Sequence, residues 1–285
     1  MKLYRDILAQ SWQTTIHHPN RWVFGLFAAL LIGNGGEIDR YLRYLDSFIQ
    51  HKGIMNVLFW SQQPWFQALQ RILPQINPVA LVSLVAIAVL LIMYMVTIAQ
   101  GSLIIGATAN STKQLSFAEL FNRSQKHVVP LFMLNTISYL GIALAVLGSS
   151  LTNIGIAAVV LLPVVLIISF LNKYTANYIL LENQHLAEAL RHGWKLLWHN
   201  FSKTLLMALV MFGLAVVINL GIVFSVGIVI TPFFSSLPLE LYTISIIGII
   251  IYTIAVVVIG AILSTWQWTA WTLLFRQLTQ SNKQQ

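Results

Sequence analysis

The chain has 285 residues, of which 58% are apolar and only 8% charged, with a formal net charge of +8 at pH 7 and no cysteine. An ordinary soluble domain carries about 25% charged residues, so this composition excludes a soluble globular fold and predicts an all-α polytopic membrane protein. The basic balance then argues for anionic lipid headgroups at a cytoplasmic face and against nucleic acid, and the lack of cysteine removes disulfides and thiolate chemistry.

Residues 1–20 are polar with no small-residue cleavage site after them, so no cleaved signal peptide is expected. WVFGLFAALLIGNGG at 22–36 is free of charge for only fifteen residues, short of the roughly 20 that a span needs. It is expected to span with help from its neighbours or to stop as a half-helix at Asn34-Gly35-Gly36. In 37–78, Ile38, Tyr41, Leu42, Leu45, Phe48 and Ile49 follow the three-four spacing of an amphipathic helix. That segment reads as two or three short helices on the outer surface, with Tyr44, Phe59, Trp60, Trp65 and Phe66 at headgroup level. Five strong spans follow, at about 79–106, 128–148, 154–181, 204–231 and 238–275. The last is too long to stand upright, so it is expected to tilt or to emerge at Trp266, Trp268 and Trp271, whose indoles suit an interface. The total is six transmembrane helices.

Charge placement orients them. Lys2, Arg5, Arg21, Lys113, Arg123, Lys126, Lys173, Arg191, Lys195, Lys203, Arg276 and Lys283 fall on one side, the short connections near 149–153 and 232–237 hold no Lys or Arg, and the remaining four, Arg40, Arg43, Lys52 and Arg71, lie in the long 37–78 segment. Short-loop bias of this kind marks the cytoplasm, so both termini are predicted there. Lys173, near the end of its span, is expected to snorkel outward.

A short pattern recurs. EALRHGWKLLWH at 188–199 aligns without gaps on DILAQSWQTTIH at 6–17, matching Asp6 to Glu188, Leu8 to Leu190, Trp12 to Trp194 and His17 to His199. In AELFNRSQK at 118–126, Glu119 and Ser124 take the Glu188 and Gly193 positions. Each copy precedes a pair of spans, so the single integral membrane domain of 1–285 parses into three units of cytoplasmic surface helix plus two spans, roughly 1–110, 115–182 and 185–278. Repeats occur in transporters, but three units of one orientation differ from the inverted pairs usual there.

At 100° per residue, Leu186, Leu190, Gly193, Trp194, Leu197, Trp198 and Phe201 share one side of the third copy. Glu188, Arg191, Lys195, His185, His192 and His199 share the other. This is a helix lying in the membrane plane, with Arg191, Trp194, Lys195 and Trp198 as its surface residues. The three histidines are seven apart and therefore about 10.5 Å apart along the axis. Two imidazoles on one ion need bonds of about 2 Å, so the row is not a metal site and reads as a solvated polar edge.

No HExxH, GxSxG or paired aspartate occurs, and IGNGGE at 32–37 lacks the strand–helix context of a phosphate loop. Neither an enzyme nor a cofactor is predicted. Within spans the polar residues are amides and hydroxyls: Gln100, Asn135, Thr136, Ser138, Asn172, Asn177, Asn219 and Gln267, with interhelical hydrogen bonding as their ordinary role. Gln100, Asn177 and Gln267 each lie near the cytoplasmic end of a unit's second span, and their convergence would make a polar vestibule. Gly141 and Ala145, four apart, mark close helix packing.

ENQHLAEALRHGWKLLWHNF, with its E-A-L and small-W-x-L elements, and HPNRWVFGLFAALLIGNGGE resemble segments of bacterial membrane proteins similar to the membrane domain of glycerophosphoryl diester phosphodiesterase. That resemblance implies a multi-pass protein of the bacterial cytoplasmic membrane and brings no catalytic residue, because the chemistry of those enzymes belongs to a separate soluble barrel. The expected function is non-enzymatic organisation of lipid or of an unnamed partner protein. The alternative is a transporter or channel for a small neutral or amphiphilic solute through a polar centre between the units.

Overall fold

A computed structural model of the chain describes residues 2–29, 78–108, 115–150, 154–224 and 242–283. These are all helix and connecting turn, with no strand among the described residues. Helix α1 is Lys2–His17, and a 3₁₀ turn, Pro19–Arg21, leads into α2, Trp22–Ala28. Then follow α3 (Pro78–Thr108), α4 (Phe117–Gln125), α5 (Val128–Ser150), α6 (Ile154–Leu181), α7 (Leu186–His199), α8 (Phe201–Phe224) and α9 (Tyr242–Lys283). The expected helices of 37–77, the end of the 22–36 segment and the connections at 151–153 and 232–237 lie outside the described residues.

Local chemistry sets the boundaries. Ser116 starts α4 with a capping box: its hydroxyl accepts from Glu119 N–H at 3.2 Å and the Glu119 carboxylate accepts from Ser116 N–H at 2.8 Å. Helix α6 ends where Asn183 takes φ 52°, a left-handed conformation that Asn tolerates, and Gln184 N–H reaches back to the Tyr178 carbonyl at 3.3 Å.

Among the described residues five helices are long and apolar enough to cross a membrane: Val79–Thr108, Val128–Ala145, Pro163–Leu181, Phe201–Ile218 and Ile250–Ser281. On these the chain is an integral membrane protein. The span starting at Ile250 runs further than expected, past Trp271 to Ser281, because its last turns are held by other helices and not by lipid.

Helices α3, α6 and α9 pack on one another; α5 packs on α3 and α6, and α2 on α3 and α9. The short helices lie on the ends of these: α1 on α9, α4 on α3 and α7 on α6. All of the core is gathered at this end, called basal below, in Leu103, Ile104, Leu120, Leu131, Leu134, Ile179, Leu197, Leu274 and Phe275. Away from it the helices face outward, and Val79, Val82 and Leu84 of α3 are 66–72% exposed, as lipid-facing residues are.

Two expectations are corrected. Trp266, Trp268 and Trp271 are buried, not wet: Trp268 and Trp271 turn toward α6, and Trp266 Nε1 donates to the Leu8 carbonyl of α1 at 3.3 Å. Lys173 does not snorkel either. It is buried on the α9-facing side of α6, its Nζ 4.7 Å from the Trp268 ring centre and 5.3 Å from that of Trp271.

Backbones touch where glycine permits it. A methyl group at Gly25 would stand 2.1 Å from the Ala261 carbonyl of α9, and one at Gly101 would stand 2.1 Å from Ser124 Oγ of α4. A methyl group at Gly141 would stand 3.3 Å from Ile168 Cδ1 of α6. A methyl group at Gly213 of α8 would meet nothing beyond its own helix within 4 Å among the described residues. Gly25→Ala is therefore expected to lower thermal stability in detergent by about 1–3 kcal/mol through overpacking, whereas Gly213→Ala raises it slightly by relieving the helix cost of glycine. Equal responses of the two variants would refute this packing.

Candidate functional site

The interior of the basal half holds a closed ring of three amides. Gln100 Nε2 on α3 donates to Asn172 Oδ1 on α6 at 3.4 Å, Asn172 Nδ2 to Asn135 Oδ1 on α5 at 3.1 Å, and Asn135 Nδ2 to Gln100 Oε1 at 2.8 Å. Ser138 Oγ accepts a second bond from Asn172 at 2.9 Å, and Thr97 Oγ1 lies 3.4 Å from Asn135 Nδ2. Gln100 and Asn135 are buried. Each amide gives and accepts once around the ring, so three helices are tied by polar groups that the low-dielectric interior would otherwise penalise. The ring contains no ionisable group and can neither donate nor abstract a proton at neutral pH. It is a clamp.

The three residues expected to form a vestibule are placed differently. Gln100 belongs to the ring; Asn177 is buried one turn beyond Lys173, donates to the Lys173 carbonyl at 2.8 Å, and its Oδ1 has no partner; Gln267 is half-buried. No hydrogen bond joins any two of them. A cavity of about 320 Å³ opens at the basal end between α3, α6 and α9, lined by Thr108, Leu181, Glu182, Arg276, Thr279 and Gln280 among others. None of the three faces it. Of the remaining span amides and hydroxyls, Thr136 bonds its own helix at the Phe132 carbonyl, and the Asn219 side chain is outside the described residues.

The second element of the site is the short helices. In α7, Ala189, Gly193, Leu196 and Leu197 are buried against the bundle, Trp194 and Trp198 are exposed, and Arg191, Lys195 and all three histidines are exposed on the remaining side. The apolar side read from the sequence is thus two faces: the small and aliphatic residues meet protein, while the indoles look outward, about 100° further round. Trp194 packs edge-on against Trp198, and Trp198 stacks on Phe201. Gly193 makes this seat possible, since a methyl there would meet Thr175 Oγ1 at 2.9 Å. His192 Nδ1 pairs with Gln184 Oε1 at 2.8 Å. Among the described residues no three His, Asp or Glu come together as a metal site.

Helix α1 is built alike, with Ile7, Ser11 and Thr15 buried and Trp12 and Ile16 exposed; in α4, Leu120 and Ser124 are buried and Phe117 is exposed. Ser124 Oγ donates to the Ile98 carbonyl at 2.8 Å. Sequence reasoning found the helices and missed which residues face protein; the buried small residue, Ser11, Ser124 or Gly193, was the available sign.

Comparison with protein-family models, with curated proteins and with solved structures finds no match.

The ring makes a quantitative prediction. In a double-mutant cycle of Gln100→Leu and Asn135→Leu, read by thermal or denaturant unfolding, the coupling is expected at about 0.6–1.7 kcal/mol, the span of interhelical bonds in membranes. Additive effects would show that the two amides act separately.

Proposed function

We propose that the protein is a non-enzymatic organiser of the membrane surface, in which a collar of amphipathic helices α1, α4 and α7, fixed on a transmembrane bundle, holds anionic lipid at the cytoplasmic face. The observation that carries this is the three-way division of α7. Protein occupies one face, exposed Trp194 and Trp198 the second, and exposed Arg191 and Lys195 the third. A helix that needed only to pack would not leave two indoles uncovered; indoles beside cations are the signature of a headgroup interface.

The same reading holds that the chain is built of three units of surface helix plus two spans, with 22–36 as the sixth span. Support comes from the packing of α4 on α3 and of α7 on α6, each on the second span of the preceding unit, with α1 on α9 closing the series. Ile7, Leu120 and Ala189 stand at one repeat position and Ser11, Ser124 and Gly193 at another, and all six are buried. It also places the protein in a bacterial cytoplasmic membrane with both termini inside. Every described Lys and Arg lies at the basal end, which supports that orientation. The likeness to the membrane domain of the phosphodiesterase is part of the proposal for its layout alone. A solute pathway is the weaker reading, because the ring amides spend their hydrogen bonds on one another.

In lipid nanodiscs, replacing part of a neutral phosphatidylcholine bilayer by phosphatidylglycerol is expected to raise the unfolding temperature. Arg191→Gln with Lys195→Gln should remove much of the increment, at about 1 kcal/mol per charge near an anionic surface. High salt should weaken the effect in the parent protein. Identical lipid responses of parent and double variant would overturn the collar's role.

A further inference from the structure

Arg21 stands apart from the collar cations because it is 3% exposed. It closes the 3₁₀ turn between α1 and α2, and its carbonyl accepts from Thr265 Oγ1 of α9 at 3.3 Å. Its side chain lies flat along Gly106 of α3: a methyl there would come within 3.1 Å of Arg21 Nε and 3.3 Å of Cδ. A guanidinium has five N–H donors and no acceptor. Among the described residues, that of Arg21 donates no hydrogen bond and joins no ion pair, and Nη1 is sealed from solvent with no acceptor at all.

Such a group cannot escape its charge. Burial lowers its pKa, but only to about 10, so it is a full cation at neutral pH. Among the described residues no neighbour compensates for it. His18, three residues back, is held below its ordinary pKa by burial first and also by the charges of Arg21 and His17, against the opposing pull of its Nδ1 contact with the Thr14 carbonyl at 2.9 Å. It can add positive charge and never removes any. Gly106 and Thr265, the contacts from α3 and α9, are uncharged. A buried cation without a counter-charge is strongly destabilising, far more than replacing it with an apolar residue would be.

The location says which anion can answer it. Gly106 is two residues from the end of α3, and Trp22, the first residue of α2 and next to Arg21, is half-buried with its Nε1 donating to the Thr15 carbonyl at 3.0 Å, an amphipathic setting of the kind indoles take at headgroup level. The anion most abundant at that depth is phosphate, and Nε and Nη2, the two guanidinium nitrogens that are not sealed, form the side-on fork that matches its oxygens two at a time.

We propose that Arg21 is the receptor for a phosphoryl group, bound where the α1–α2 turn meets the glycine-lined end of α3. The group is either the phosphate of a phospholipid headgroup or free phosphate. The proposal uses the membrane placement of the basal end and is independent of the collar, so Arg191→Gln with Lys195→Gln should leave it intact.

The test uses full-length protein in detergent, with native mass spectrometry for retained phospholipid and thermal unfolding after delipidation with added phosphatidylglycerol or inorganic phosphate. The parent is expected to retain phospholipid at one per chain, and Arg21→Met to bind it at least tenfold more weakly. Arg21→Lys, which keeps the charge and loses the fork, should fall between the two and serves if the Met variant does not fold. Stabilisation of the parent by inorganic phosphate, lost in Arg21→Met and without retained lipid, assigns the site to free phosphate. Equal responses of parent and both variants overturn the proposal. So does an Arg21→Met protein more stable than the parent in the presence of phospholipid, which would make the guanidinium a buried charge with no ligand.

Discussion

Helices in lipid gain nothing by burying leucine against leucine, since the acyl chains are as apolar as the side chains they replace. Cohesion of this bundle therefore leans on hydrogen bonds, on close approach of backbones and on specific side-chain packing. The first two are concentrated at the basal end. The amide ring ties α3, α5 and α6, and the contacts of Gly25 with Ala261 and of Gly101 with Ser124 bring α2 to α9 and α4 to α3. Helix α9 shows how polar residues are tolerated between such contacts: Thr269 and Thr272 each donate to the carbonyl four residues back, so each hydroxyl is satisfied without a neighbouring helix, while Thr265 shares its proton between the Ala261 and Arg21 carbonyls.

That constraint also explains the short helices. A surface helix lying free on a bilayer needs only one apolar face, whereas α1, α4 and α7 need two, one for the bundle and one for whatever surrounds it. Small residues supply the first face because the crossing is tight: Ser11, Ser124 and Gly193 sit where a larger side chain would hold the helices apart. Aromatic residues supply the second. The two requirements are met about 100° apart on one helix, so Gly193 and Trp194 can be neighbours in sequence and have opposite surroundings.

Composition and run length were enough to read the helical membrane class and the position of the strong spans, because about 20 apolar residues in a row have few other uses. The span expected at about 154–181 lies in the helix Ile154–Leu181, of which Pro163–Leu181 is long and apolar enough to cross a membrane, and Asn183 in its left-handed conformation follows the end. What periodicity could not give was the partner of each face. An indole beside apolar residues looks the same whether it faces outward, as Trp194 does, or a neighbouring helix, as Trp266 does with its Nε1 on the Leu8 carbonyl, because both environments accept an apolar ring with one polar edge. Likewise Asn135 and Asn172 were visible as polar residues inside spans, but their joining through Gln100 depends on three helices separated by tens of residues.

Lys173 brings these points together. On a helix wheel its position near the end of a span allows an outward reach to water, and that is the reading a lone helix would justify. In the bundle α9 covers it, and the ammonium lies over the faces of Trp268 and Trp271, an arrangement worth about 2 kcal/mol when desolvated. Its sequence neighbour Asn172 points the other way into the amide ring. Two adjacent residues of α6 thus join it to α9 through a cation and aromatic faces, and to α3 and α5 through neutral amides. These two junctions hold α6 to its three neighbours, and Arg191 and Lys195 of α7 stand outside them, exposed on the side of that helix that faces away from the bundle.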